Sequence, residues 1–146
     1  MSDVEDLRWL EVACELASSC PPSETAFSVG AVIVGADGRE LARGFSRETD
    51  EKVHAEEAAL AKIPGVELAG ATVYSSLEPC ARRLSRPKSC ARLIVERGVR
   101  RVVFAWREPV LFVEGDGVEL LEDEGVEVVE VPALAARAKL PNAHLL

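Results

Sequence analysis

Long apolar runs are missing from this 146-residue chain, and so is a basic leader. No stretch approaches the ~20 apolar residues that a membrane helix needs, and Met1-Ser2-Asp3-Val4-Glu5-Asp6 is acidic where a secretory leader would be basic. A cytoplasmic protein without a membrane partner is expected. An excess of positive charge is missing as well: 17 Lys and Arg stand against 25 Asp and Glu, a formal net charge of −8. Nucleic-acid binders present a basic face, so the balance argues against DNA and RNA as partners. Low-complexity segments and internal repeats are absent, and 48% of residues are hydrophobic. Residues 1–146 therefore read as a single domain able to bury its own core.

Cysteine is scarce, at four residues. In a reducing compartment these are thiols or metal ligands rather than two disulfides. Cys14 falls on the apolar stripe of an N-terminal helix and reads as a small core hydrophobe. Cys20, before Pro21-Pro22, reads as incidental. Cys80 and Cys90 differ, because Pro79 precedes the first and His54-Ala55-Glu56 lies upstream of both. His54, Cys80 and Cys90 offer one imidazole and two thiolates. Three protein donors leave a tetrahedral zinc an open position, whereas a structural site closes with four. Glu56, two residues from a ligand, is placed to move protons without binding metal. Glu57 lies ~100° further round a helix and points elsewhere.

The elements follow from hydrophobic period and breakers. Leu7, Leu10, Val12, Ala13, Cys14, Leu16 and Ala17 give a first helix ending near Ser18-Ser19. Residues 29–34 and 40–45 form a hairpin across Asp37-Gly38. A helix over 54–62 stops at Pro64-Gly65, a strand follows at 71–75, and a helix capped by Ser89 runs to Arg97 before Gly98. A strand at 101–105, a short helix at 118–122, a strand at 126–129 and a helical piece at 133–138 complete the chain. This order predicts a three-layer α/β/α sandwich around a mixed five-stranded sheet.

His-x-Glu followed by Pro-Cys and a second Cys resembles the zinc deaminases of the cytidine-deaminase-like superfamily. Their usual cysteines are separated by two residues; here nine, 81–89, intervene. A wide gap occurs in the pyrimidine deaminase domain of the riboflavin-biosynthesis deaminase/reductase, and Arg86-Pro87-Lys88-Ser89-Cys90 is similar to the end of its insert. The likeness extends over 29–34, His54-Ala55-Glu56, Leu77-Glu78-Pro79-Cys80, 98–103, Arg107-Glu108-Pro109 and 120–126. It implies the cytidine-deaminase-like fold, Zn2+ held by His54, Cys80 and Cys90, and Glu56 as general acid/base. It also implies hydrolytic removal of an exocyclic amino group from an aminopyrimidine carrying a phosphorylated ribose.

In that reading Arg82, Arg83, Arg86 and Lys88 would clamp the phosphate; a solvated surface loop is the alternative. Two departures bear on substrate. Ala26-Phe27-Ser28 stands where that family has Asn-Pro, and Phe45-Ser46-Arg47 where base deaminases carry an Asn, so Ser46, Arg47 and Glu48 become candidate substrate contacts. Phe104, Trp106 and Phe112 read as core or subunit contacts, with stacking on a substrate ring as the other reading. The reductase domain of the bifunctional enzyme is not in this sequence, so a stand-alone deaminase is expected, assembled by analogy as a homo-oligomer, dimer or tetramer. The rival functions are a cytidine, deoxycytidylate or specialised-metabolite deaminase and, from another class, a catalytically silent zinc-stabilised nucleotide-binding module.

Overall fold

The computed structural model describes residues 3–81, 88–107 and 117–146. Its elements run α1 (Asp3–Ala17), β1 (Gly30–Val34), β2 (Glu40–Phe45), α2 (Ala55–Ala61), β3 (Thr72–Leu77), α3 (Cys90–Glu96), β4 (Arg101–Trp106), α4 (Gly117–Asp123), β5 (Glu127–Glu130) and α5 (Ala135–Lys139). The strands form one sheet ordered β2-β1-β3-β4-β5. β1 is antiparallel to β2 and β3, whereas β3, β4 and β5 run parallel.

Side chains alternate across the pleat, and the alternation sorts them into two cores. Val32, Val34, Tyr74, Val103 and Ala105 meet Leu10, Ala13 and Cys14 of α1 and Ala138 of α5. Ile33, Val73 and Val102 meet Ala59 and Leu60 of α2, Ala91 and Ile94 of α3 and Leu121 of α4. The expected three-layer sandwich with a mixed five-stranded sheet is what forms.

The buried stripe of α1 is Asp6, Leu10, Ala13, Cys14 and Ala17, and Leu7 is 38% exposed. An acid therefore occupies the inward position that hydropathy assigns to leucine. Asp6 accepts from Tyr74 Oη at 2.7 Å and takes both ends of the Arg101 guanidinium, at 2.9 and 2.7 Å. This pins α1 to β3 and β4. Cys14 is buried as expected, and desolvation pushes its thiol up to about 11. Cys20 Sγ lies 3.4 Å from the Val29 carbonyl oxygen.

Two helices approach the sheet so closely that glycine is required beneath them. A Cβ on Gly30 would come within 2.0 Å of the Ala13 carbonyl oxygen, and one on Gly44 within 2.5 Å of that of Ala55. The second approach seats α2 on β2 and fixes where its N-terminus, beginning after His54, emerges. The strand registers set which end of the sheet that is. Gly30 pairs with Phe45, Ala31 with Ser75 and Leu77 with Trp106. Hence residues 27–29, Ser46-Arg47, Glu78-Pro79-Cys80 and Trp106 all gather at one end.

Candidate metal centre and active site

His54 is the N-cap of α2, with extended backbone (φ −90°, ψ 160°). Its N–H donates to Glu57 Oε1 at 3.2 Å, the reach-back of a capping box. Glu57 is thereby engaged in the cap and stays outside the cluster of metal donors, and its neighbour Glu56 faces inward, 4% exposed. Cys80 lies just beyond the end of β3. Cys90 is the first residue of α3, whose N-cap Ser89 accepts from the Arg92 N–H at 3.2 Å.

The nine intervening residues do not separate the sulfurs, because the start of α3 docks on Cys80. The Cys90 N–H donates to Cys80 Sγ at 3.3 Å and the Ala91 N–H to the Cys80 carbonyl at 3.0 Å. His54 Nδ1 lies 3.3 Å from Cys90 Sγ and 3.7 Å from Cys80 Sγ. All three donor atoms fall within 4.8 Å of one another.

The donor set can be tested against zinc. Bond lengths of ~2.0–2.1 Å to nitrogen and ~2.3 Å to sulfur at tetrahedral angles put N and S ~3.6 Å apart. The two separations found bracket that value, so the residues fit the ion. Hydrogen bonding from Cys90, then the neighbouring His54, hold the Cys80 thiol down to about 4 against the opposing effect of burial. A thiolate, the form that binds metal, is thus preorganised. Among the described residues this is the one His/Cys/acid grouping of metal-binding geometry. Cys90→Ala is expected to lower bound zinc from about one equivalent per chain to below roughly a tenth at micromolar metal, read by metal analysis after gel filtration, since two donors seldom retain the ion.

Burial, reinforced by the charge on Cys80 and opposed by His54, raises the Glu56 carboxyl above the ordinary carboxylate range. Its Oε2 lies 3.2 Å from Ser75 Oγ. Glu78, also buried, accepts from the Val118 N–H at 3.0 Å and so ties the start of α4 to the strand end that bears Cys80. Gly117 is needed there, because a Cβ would approach the Pro79 carbonyl oxygen to 1.8 Å.

The candidate substrate residues are distributed differently. Ser46 Oγ accepts from the Val29 N–H at 2.9 Å and is buried. Arg47, with φ 62°, donates to the carbonyls of Pro21 and Phe27 and to Ser28 Oγ. Both sit at the metal end of the sheet and hold the segment leading into β1. Lys88 is exposed and pairs with Glu96 at 2.5 Å. Arg82, Arg83 and Arg86 lie outside the described residues, as do Glu108, Pro109 and Phe112. Phe104 is core, and Trp106 meets Phe27 edge to face at 5.1 Å.

Ser75 and Asn142 are two residues of this region that motif reasoning does not reach. Asn142, 1% exposed, binds both backbone groups of Ser28: Oδ1 accepts its N–H at 2.6 Å and Nδ2 donates to its carbonyl at 3.0 Å. The available signal for Ser75 is the strand period, which puts it on the same face as Val73, toward α2. For Asn142 no local signal exists.

Comparison with known proteins agrees with this geometry. The diaminohydroxyphosphoribosylamino-pyrimidine deaminase of Schizosaccharomyces pombe is 44% identical over 118 residues, covering 78% of this chain and 29% of that protein. A deaminase/reductase of Thermotoga maritima superposes with a TM-score of 0.77 at 35% identity, over 94% of this chain and 39% of that one. The Rib2 deaminase of Aspergillus oryzae, a C-terminal deletion mutant, superposes with a TM-score of 0.79 at 25% identity, over 96% and 98%. The chain spans about three tenths of the length of the curated relatives it matches. Among the described residues no helix is long and apolar enough to cross a membrane. Residues 3–106 match the cytidine and deoxycytidylate deaminase zinc-binding region, and with His54, Cys80 and Cys90 converging inside that span the chain belongs to this family of zinc-dependent hydrolytic deaminases.

Proposed function

We propose that the chain removes the exocyclic amino group of an aminopyrimidine that carries a phosphorylated ribose, the substrate class in the name of its Schizosaccharomyces pombe relative. The observation that carries the reading is the placement of one buried carboxylate, Glu56, beside three convergent metal donors. Zinc, when bound, supplies the Lewis acidity that makes water nucleophilic near neutral pH. His54, Cys80 and Cys90 would hold it. Glu56 takes the proton released by the attacking water, delivers it to the ring nitrogen and returns a proton to the departing amine. The overall change replaces C–NH2 by C=O, consumes water and releases ammonia. The same reading makes residues 1–146 one cytoplasmic deaminase domain assembled as a homo-oligomer, in which Arg82, Arg83, Arg86 and Lys88 would clamp the phosphate, Lys88 by leaving Glu96, and Ser46 and Arg47 act on substrate through the segment they hold.

Ammonia release from zinc-loaded protein tests the proposal. The panel is the phosphoribosylated diaminopyrimidine and its dephosphorylated form, cytidine, deoxycytidine, their monophosphates, cytosine, adenine and guanine. We expect turnover of the phosphorylated diaminopyrimidine at least tenfold above the others in kcat/KM, the factor that about one charge-assisted hydrogen bond to the phosphate supplies. Preference for deoxycytidylate or cytidine would replace the substrate assignment. Binding without turnover would favour the silent nucleotide-binding module.

A further inference from the structure

Resting on the reading of Glu56 as the proton carrier, we propose that Ser75 is the positioning residue that anchors one oxygen of this carboxylate and so fixes which oxygen meets the reacting groups. Ser75 is fully buried in β3, at 0% exposure. Its Oγ donates to the Leu77 carbonyl at 2.7 Å and lies 3.2 Å from Glu56 Oε2. Oε2 is thereby engaged from the strand side, which in this proposal leaves Oε1 for the reacting groups. Buried Ser75 touches no substrate in this arrangement, so its effect passes through Glu56.

A hydroxyl is well suited to such an anchor. It carries one hydrogen and two lone pairs, so it cannot donate to both neighbours at once. When the hydrogen turns to Oε2, the carboxylate accepts it. When it turns to the Leu77 carbonyl, Oγ is free to accept from a protonated Oε2. The anchor therefore holds whichever form Glu56 takes, and the change between them needs only rotation about a C–O bond. A backbone N–H at this place could serve the ionised form alone.

The test compares Ser75→Ala, Ser75→Cys and Ser75→Thr with the parent, all zinc-loaded, on the substrate found above. Removal of one hydrogen bond to an ionisable group predicts kcat lower by about ten- to a hundredfold in the alanine and cysteine variants, with KM within about twofold and zinc content unchanged. Threonine, which keeps the hydroxyl, restores kcat to within about fivefold. Crystal structures of parent and Ser75→Ala supply a readout independent of turnover: Glu56 in one rotamer in the parent and spread over several in the variant. Should alanine fail to fold, cysteine, close to serine in size, carries the same comparison. Unchanged kcat, a change confined to KM, or a Glu56 equally ordered in both crystals overturns the role. If the parent shows no turnover on any substrate, the deaminase reading fails, while the rotamer comparison still decides whether Ser75 positions Glu56.

Discussion

Glu56→Gln is expected to lower kcat by about 10²- to 10⁴-fold, the range for loss of a positioned general acid/base, while zinc stays bound at parental stoichiometry. The substitution preserves side-chain shape and a hydrogen-bonding partner for Ser75 Oγ, 3.2 Å away in the parent, so the fold has no reason to change. It removes only the capacity to take up and release a proton. Metal donors are untouched, because His54, Cys80 and Cys90 form their own cluster. Substrate binding should persist with KM or Kd within a few-fold. Paired measurement of ammonia release and metal content checks this. Activity within tenfold of the parent would remove Glu56 from the proton pathway, and simultaneous loss of zinc would make its role structural.

Asp6→Ala should cost about 3–5 kcal/mol of stability, as expected when one partner of a buried, hydrogen-bonded ion pair is removed. Asp6 is 4% exposed, and its loss removes the hydrogen bond from Tyr74 and both from Arg101, which keeps Glu127 at 3.5 Å. The pH dependence has a definite sign. The hydrogen bond from Arg101 holds the Asp6 carboxyl below its ordinary value despite burial. Its contribution is therefore fully present above the unfolded value of ~3.9 and is lost as pH falls through the lower folded value. Urea unfolding at pH 7 and at pH 3 should show the variant and parent converging in acid. A penalty below about 1 kcal/mol at pH 7 would mean that water replaces Asp6 at no cost.

The metal centre is legible in the sequence because its chemistry is local in kind even where it is distant along the chain. Few residue types bind zinc, and His54, Cys80 and Cys90 appear in the required combination. The unusual cysteine spacing looks like a defect on paper. In the fold it is neutral, since α3 delivers Cys90 to Cys80 through two backbone N–H bonds. Strand order and the two helical layers are legible for a related reason: alternation and caps are written within a few residues. β3 reaches Leu77 rather than Ser75 because its extension pairs with Trp106 across the sheet, a partner that local pattern does not disclose. α5 begins two residues late because Pro132 opens a 3-10 turn first. Asp6 and Asn142 are silent in the sequence, and Ser75 discloses only its strand face, because each acquires meaning from a residue 95, 114 or 19 positions away. Ser46 and Arg47 look like open polar groups in the sequence, and their hydrogen bonds go to the backbone of residues 21–29.

The bond from Asn142 to Ser28 also ties together residues 114 positions apart. His54, Glu56, Cys80 and Cys90 all lie within the first 90 residues, and the bonds that join them to one another and to Ser75 span at most 36 positions. The segment leading into β1 is different: Ser28 finds its amide clamp only in residue 142. Closing so long a loop costs conformational entropy that only a largely formed sheet can offset. The metal cluster thus closes shorter loops than the clamp that holds the segment before β1.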